Sequence, residues 1–157
     1  MTDLEFRVLG HPQPGGSKRA FPIRRAGQLT GHVAVTDSNP RAKDWAALVI
    51  AAAFDAANGR QDLPFTGPLS LAVEFTLKRP AGHYGSGRNH QQLKPSAPRL
   101  PSVRPDITKL LRVLEDALTG IAWRDDAQIV TQLALKNYGH PEGAHIKITR
   151  IDQGGEP

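Results

Sequence analysis

An α+β domain is what this chain predicts: a mixed, mostly antiparallel sheet with two main helices packed on one face. Two stretches, residues 39–59 and 106–121, repeat apolar residues at helical spacing. Strand-like alternation precedes the first of them, separates the two, and follows the second. The resulting order is β-β-β-α-β-(long loop)-α-β-β. At 157 residues, one domain spanning 1–157 is expected. That length can bury a core without disulfide or metal staples.

The elements follow in order. "LEFRVLG" alternates as a half-buried strand does, and "HPQPGGSKRA" breaks it with proline and glycine. "AFPIRR" and "HVAVTD" read as two short strands joined by a turn at "GQLTG". In the first helix Asn39 is the expected cap and Pro40 the first helical position, while Asn58 and Gly59 supply the stop. Trp45, Leu48, Val49 and Ala52 are its expected buried stripe. "GPLSLAVEFTLKRP" sends Leu69, Leu71, Val73, Phe75 and Leu77 to one side and Glu74 to the other. From about 80 to 105 the chain is rich in Gly, Pro, Ser and Asn, an irregular loop expected to order with its ligand. The second helix starts at Asp106. On its wheel, Leu110, Leu111, Leu114, Leu118 and Ile121 fall within about 60° of Ile107. "AQIVTQLALKNYG" and "AHIKITRID" are two further strands around the turn "GHPEG", before a short flexible C-terminal tail.

Composition narrows the chemistry. The chain has no cysteine, which excludes a Cys-ligated zinc site, and no apolar run of membrane-spanning length. "MTDLEFRVLG" lacks a signal-peptide core, so a cytoplasmic location is expected. No pair of its six histidines has helical zinc spacing, and no G-x-S-x-G occurs. "GSGRNH" lacks the strand and helix that a phosphate loop needs. A net charge of +5 attracts polyanions, nucleic acid first.

Against that basic background, acids gather between residues 104 and 130. Asp106 and Asp116 lie ten residues apart, about 15 Å along a helix, too far to share one metal. Asp116 also stands four residues from Arg112, the spacing of a surface ion pair. Asp125 and Asp126 open the next strand, so they should point to opposite faces. Asp125 is in phase with Ile129, Leu133 and Leu135, the apolar set; Asp126 is in phase with Gln128 and Gln132 and suits an open site. Separately, Asp106 is a good helix cap and the Asp pair a solvated turn. Together, if the start of the helix and the start of the strand converge, they can hold a divalent cation through oxygen donors, Mg²⁺ or Mn²⁺.

"RPDITKLLRVLEDALTGIAWRDDAQIV" resembles the signature of the RusA family of Holliday junction resolvases: a Pro-Asp-x-Asp segment opening a helix, then D-A-L-T/N-G, then D-D-A/S-Q-V. "GHPQPGGSKRA" and "TDSNPRAKDWAALV" are similar to its phage and actinobacterial branch. The resemblance implies a small homodimeric nuclease, dependent on Mg²⁺ with Mn²⁺ as substitute. It would cut four-way DNA junctions by paired symmetric nicks in recombination and repair, near the nucleoid, whether phage or chromosomally encoded. The family's helix-start aspartate falls on Asp106 and its downstream aspartate on Asp126, with Asp125 beside it; these three are the implied metal ligands. The family's functional lysine falls on Arg112. Its second helix-start acid falls on Thr108, a neutral and weaker donor, for which Glu74 is a candidate replacement.

In the mechanism this implies, Asp106 and Asp126 hold the metal that activates water, and Arg112 or Lys109 steadies the developing phosphorane charge. Lys18, Arg19, Lys78, Arg79, Arg88, Lys94, Arg104 and Lys109 are the expected DNA contacts, each raising the salt dependence of binding. Two other classes stay open: a junction-binding scaffold whose chemistry is weakened or lost with Thr108, and a generic structural protein.

Overall fold

The computed structural model describes residues 3–16, 18–37 and 39–152, the side chains of residues 18, 19, 21 and 35–37 excepted. In chain order its elements are β1 (Leu4–Leu9), β2 (Lys18–Arg25), β3 (Gln28–Asp37), α1 (Arg41–Ala57), β4 (Leu69–Leu77), α2 (Ile107–Leu118), β5 (Ile129–Tyr138) and β6 (Gly143–Arg150). The main sheet runs β1-β6-β4-β5, while β2 and β3 form a separate hairpin. β1 is antiparallel to β6 and β6 to β4, but β4 and β5 are parallel, so the sheet is mixed as expected. A parallel pair needs a crossover, and here residues 78–128, including α2, provide it.

The core lies between one sheet face and the two helices. β4 contributes Leu69, Leu71, Val73, Phe75 and Leu77, all buried, as its alternation requires. From α2 come Leu110, Leu114 and Leu118, fully buried, each stabilising by about 1.5–3 kcal/mol. α1 presents Ala42, Trp45, Val49 and Ala53; Leu48, expected in that stripe, is 45% exposed. It leans over the backbone at Gly10, where a Cβ would stand 2.7 Å from its Cδ1. The helix starts one residue later than expected, with Pro40 in the cap position, though Asn39 Oδ1 still accepts from the backbone N–H of Arg41 at 3.2 Å.

Several boundaries differ from expectation. The hairpin turns at Ala26–Gly27, both at positive φ, rather than across "GQLTG", so both strands are longer than predicted. The strand after α2 begins at Ile129, not at Asp125, because a 3-10 turn at Asp126–Gln128 intervenes. Its apolar set is also reversed: Leu133 is 60% exposed and Leu135 faces the same open side, while Ala134 packs on the core. A register shift opposite Leu69/Ser70 skips Val130 and changes the phase.

The stretch 80–105 is irregular and carries its own hydrogen bonds. Gly85 N donates to Gln92 O and Lys94 N to His83 O, both at 2.9 Å. The Arg79 guanidinium donates to Pro98 O at 2.7 Å and sits 4.3 Å from the Tyr138 ring centroid. The expected C-terminal tail, residues 153–157, lies outside the described residues.

Two points fasten the sheet's β1 edge. Gly143 sits opposite Leu9, and a Cβ there would lie 2.1 Å from Val8 O. At the other end Asp3 accepts from Arg150 N at 2.6 Å and from its guanidinium at 2.9 Å. The Arg150 backbone N–H, more than its guanidinium, holds the Asp3 carboxyl below its ordinary value, against the opposing effect of burial. We expect Gly143→Ala to prise β1 from β6 and lower stability by about 1–3 kcal/mol, read as a fall in urea midpoint. A depressed carboxyl stabilises the fold above its unfolded pKa and loses that effect as pH falls through the folded value. Asp3→Asn should therefore destabilise at neutral pH, with the gap to wild type closing in acid; a gap constant with pH would refute the assignment.

Candidate active site at the two ends of one helix

Asp106 is the residue before α2, yet its side chain makes no capping hydrogen bond. The carboxylate is 54% exposed and its nearest cation is Lys109 Nζ at 3.8 Å. It opens on a cleft of about 500 Å³, shared with Gln13, Asn39, Arg104 and Lys109. One wall is the glycine-rich segment 13–16, bound against α2. Gly15 N donates to Lys109 O at 3.0 Å, and Arg112 Nη2 donates to Gly16 O at 3.1 Å. Asn39 Nδ2 ties the same segment to α1 by donating to Pro14 O at 2.8 Å. A Cβ at Gly15 would meet Arg112 Nη2 at 3.1 Å and Val113 Cγ2 at 3.3 Å, so this close approach favours glycine.

At the other end of α2 lies a second polar cluster. Asp126 Oδ1 accepts from Thr119 Oγ1 at 2.5 Å and from the buried Trp123 indole Nε1 at 2.8 Å. Asp125 faces its own turn. Its Oδ1 accepts from Ala127 N at 2.8 Å, and Asp125 N donates to Gln128 Oε1 at 3.1 Å, closing a capping box. Gln128 Nε2 also donates to Phe65 O and Gly67 O, both at 3.0 Å, which locks the turn to the body. Nearby, Glu115 accepts from Gln132 of β5. Burial, then repulsion from Asp126 and Asp116, push the Glu115 carboxyl up, with the Gln132 bond opposing.

The expected convergence of Asp106 and Asp126 is not present within one chain. Asp126 is bonded to Thr119, thirteen residues beyond Asp106 along a regular helix, so the two carboxylates are roughly 20 Å apart. Nor, among the described residues, do three acids or histidines gather closely enough to hold a metal ion. Glu74 cannot stand in for Thr108. It lies on the face of β4 turned away from the helices, where Asn137 Nδ2 donates to its Oε1 at 2.7 Å. The expected Arg112–Asp116 ion pair is replaced by the Arg112–Gly16 bond.

Among the expected DNA contacts, Arg104 and Lys109 line the Asp106 cleft. Arg79 and Lys94 are instead engaged in bracing the 80–105 stretch, Lys94 Nζ donating to Gly82 O at 2.8 Å. Lys78 and Arg88 are exposed, while the side chains of Lys18 and Arg19 lie outside the described residues. Thr119, Trp123, Glu115 and Gln128 surround the Asp125–Asp126 turn, and the sequence patterns do not single them out. Their signal was local: a tryptophan three residues before an aspartate and four after a threonine, the reach of one turn.

Trp123→Phe keeps a buried ring but removes the N–H given to a carboxylate. It should lower stability by about 1.5–3 kcal/mol. In an Asp126→Asn background the loss should shrink, and additive losses in a double-mutant cycle would contradict the pairing.

Comparison with known proteins matches the sequence to a family model. Residues 13–149 fit the model described as Endodeoxyribonuclease RusA. The chain is also similar to the uncharacterized protein YqaN of Bacillus subtilis (strain 168), at 24% identity over 151 residues, covering 96% of this chain and 99% of that protein. With two helices on a four-stranded mixed sheet and a family match across most of its length, the chain belongs to the RusA family of endodeoxyribonucleases.

Proposed function

We propose that this chain is a structure-specific endonuclease that resolves four-way DNA junctions by paired nicks, with Mg²⁺ as its working ion. RusA-family resolvases act on branched DNA and depend in general on a divalent metal. The observation that carries the reading is the match over residues 13–149; the resemblance of residues 104–130 to the family signature supports Asp106, Asp125 and Asp126 as its acids.

The donors suit a hard cation in kind, being carboxylate and hydroxyl oxygens. They do not suit it in placement, because Asp106 and Asp126 of one chain are too far apart to ligate one ion. What one chain does offer is an open cleft of about 500 Å³ beside Asp106. Arg104 and Lys109 supply positive charge there, and Asn39 and Gln13 hold its wall. These cations would draw in a phosphodiester, while Arg112 acts as a positioning residue by fixing Gly16. Asp126, oriented by Trp123 and Thr119, keeps its second carboxylate oxygen for a further partner. Arg88, Arg104 and Lys78 would extend the phosphate track.

A second reading rests on Thr108. It is exposed, carries no charge and stands where the family places an acid. A chain of this kind could bind junctions with little or no cutting. A labelled four-way junction incubated with Mg²⁺ separates the two readings. The nuclease reading expects paired nicks from wild type. It also expects a fall of about two orders of magnitude or more in Asp126→Asn with binding kept, the scale of losing one electrostatic stabiliser. Thr108→Asp should cut faster than wild type. Tight junction binding with no nick from wild type selects the scaffold, and normal cutting by Asp126→Asn removes that residue from the site.

A further inference from the structure

β2 and β3 stand apart from the main sheet and pair only with each other. From Pro22 to Val33 every side chain is exposed except Thr30, which is half-buried. Ile23, Leu29 and Val33 stand open at 41%, 61% and 60%. An isolated two-stranded ribbon is marginally stable in water, and this one adds little to the core. Its side chains are free to serve a partner outside the chain.

Charge selects the partner. Between Glu5 and Asp37 the sequence contains no acid, while Lys18, Arg19, Arg24 and Arg25 all lie on β2. Arg24 and Arg25 are exposed just before the Ala26–Gly27 turn, so two cations crown the tip. The ribbon is also shaped in advance. Across the register shift between Pro22 and Arg24, Thr30 Oγ1 donates to Ile23 O at 2.8 Å. Its base is pinned at the Asp106 cleft. β2 follows the segment 13–16, which Lys109 O and Arg112 bind, and β3 ends two residues before Asn39, which binds Pro14 O. Both strands therefore leave the body beside the candidate active site. The eight residues of β2 reach about 25 Å from there.

We propose that the β2–β3 ribbon is a DNA arm that enters the major groove of the duplex branch next to the cut, with Arg24 and Arg25 on phosphates at its tip. The major groove, about 12 Å wide, admits a two-stranded ribbon, whereas the minor groove, about 6 Å wide, is too narrow. Ile23, Leu29 and Val33 carry no side-chain donor or acceptor, so their contact with the groove reads shape more than sequence. With a scissile phosphate at the Asp106 cleft, the tip falls about seven base pairs away, at 3.4 Å per pair. This inference deepens the junction-nuclease reading and rests on it for the position of the cut, though not for the DNA contact itself.

Shortening the ribbon tests it. Replacing residues 22–33 by Asn-Gly joins the paired Phe21 and Ala34 in a tight hairpin. The removed residues do not pack on the core, so the urea midpoint should hold. Affinity for a four-way junction, measured without metal, should fall about ten-fold or more. In the full-length chain, Arg24→Gln with Arg25→Gln should reduce the slope of log K against log salt by about two, one for each lost phosphate. Wild type should bind more weakly to a junction whose cytosines carry glucosyl groups in the major groove, and the shortened chain should not distinguish the two junctions. Unchanged affinity on shortening, or indifference of wild type to the glucosyl groups, overturns the inference. So does a change in oligomeric state on shortening, read by sedimentation, which assigns the ribbon to a second copy instead. If wild type never nicks junctions but shortening still weakens binding, the nuclease reading falls and the arm stands. Nicking by wild type, with binding indifferent to shortening, removes the arm and leaves the nuclease.

Discussion

The length of α2 governs the rest of the molecule's chemistry. Its apolar stripe, Leu110, Leu114 and Leu118, is fully buried against the sheet, so the helix cannot rotate or slide without opening the core. Twelve residues of regular helix then set the spacing between whatever stands at its two ends. Asp106 at one end and Asp126 at the other are held apart by the same packing that makes the domain stable. A local rearrangement that joined them would have to expose several leucines, at about 1.5–3 kcal/mol each. Separation of the two acids is thus a property of the core, not of a side-chain rotamer.

The two ends are built by different means. At the start of α2, the glycine-rich segment 13–16 comes from far away in the chain and is bound by Arg112, Asn39 and the Lys109 carbonyl. The site there depends on long-range contacts and on a glycine that permits close approach. At the far end, Thr119, Trp123, Asp125, Asp126 and Gln128 lie within ten residues and bond mainly to one another. A compact local network of this kind fixes Asp126 before any ligand arrives. In it Asp125 serves the turn while Asp126 is presented outward, so the adjacent aspartates have different physical tasks.

Much of the architecture was legible because alternation and helical spacing report burial directly. β4 and α2 face the way their apolar residues require, and the element order follows. What alternation does not report is which face of a strand is covered. For β5 both faces carry apolar residues, and the register shift at Val130 decides the phase; Leu133 therefore ends outside and Ala134 inside. The strand-phase argument for the Asp pair failed for a similar reason, since Gln128 closes a capping box that holds Asp125–Gln128 out of the sheet. The candidate acids could be read from the motif. Their distance could not, because it depends on α2 running antiparallel to β5, which only the packing fixes.

The charge order along α2 argues that its ends are shaped for something other than helix stability. A helix favours acids near its N-terminus and bases near its C-terminus, by about 0.3–1 kcal/mol for each exposed charge. Beyond Asp106, which stands just before it at the favourable pole, α2 does the reverse. Lys109 and Arg112 stand in its first half, Glu115 and Asp116 in its second, with no acid in the first turn and no base in the last. Asp126 adds a further negative charge at the negative pole. Taken alone, each of these groups destabilises the helix slightly. The arrangement becomes favourable once cations meet the acidic end and anions the basic end. A phosphate backbone at the cleft of Asp106, Arg104 and Lys109 would serve one end.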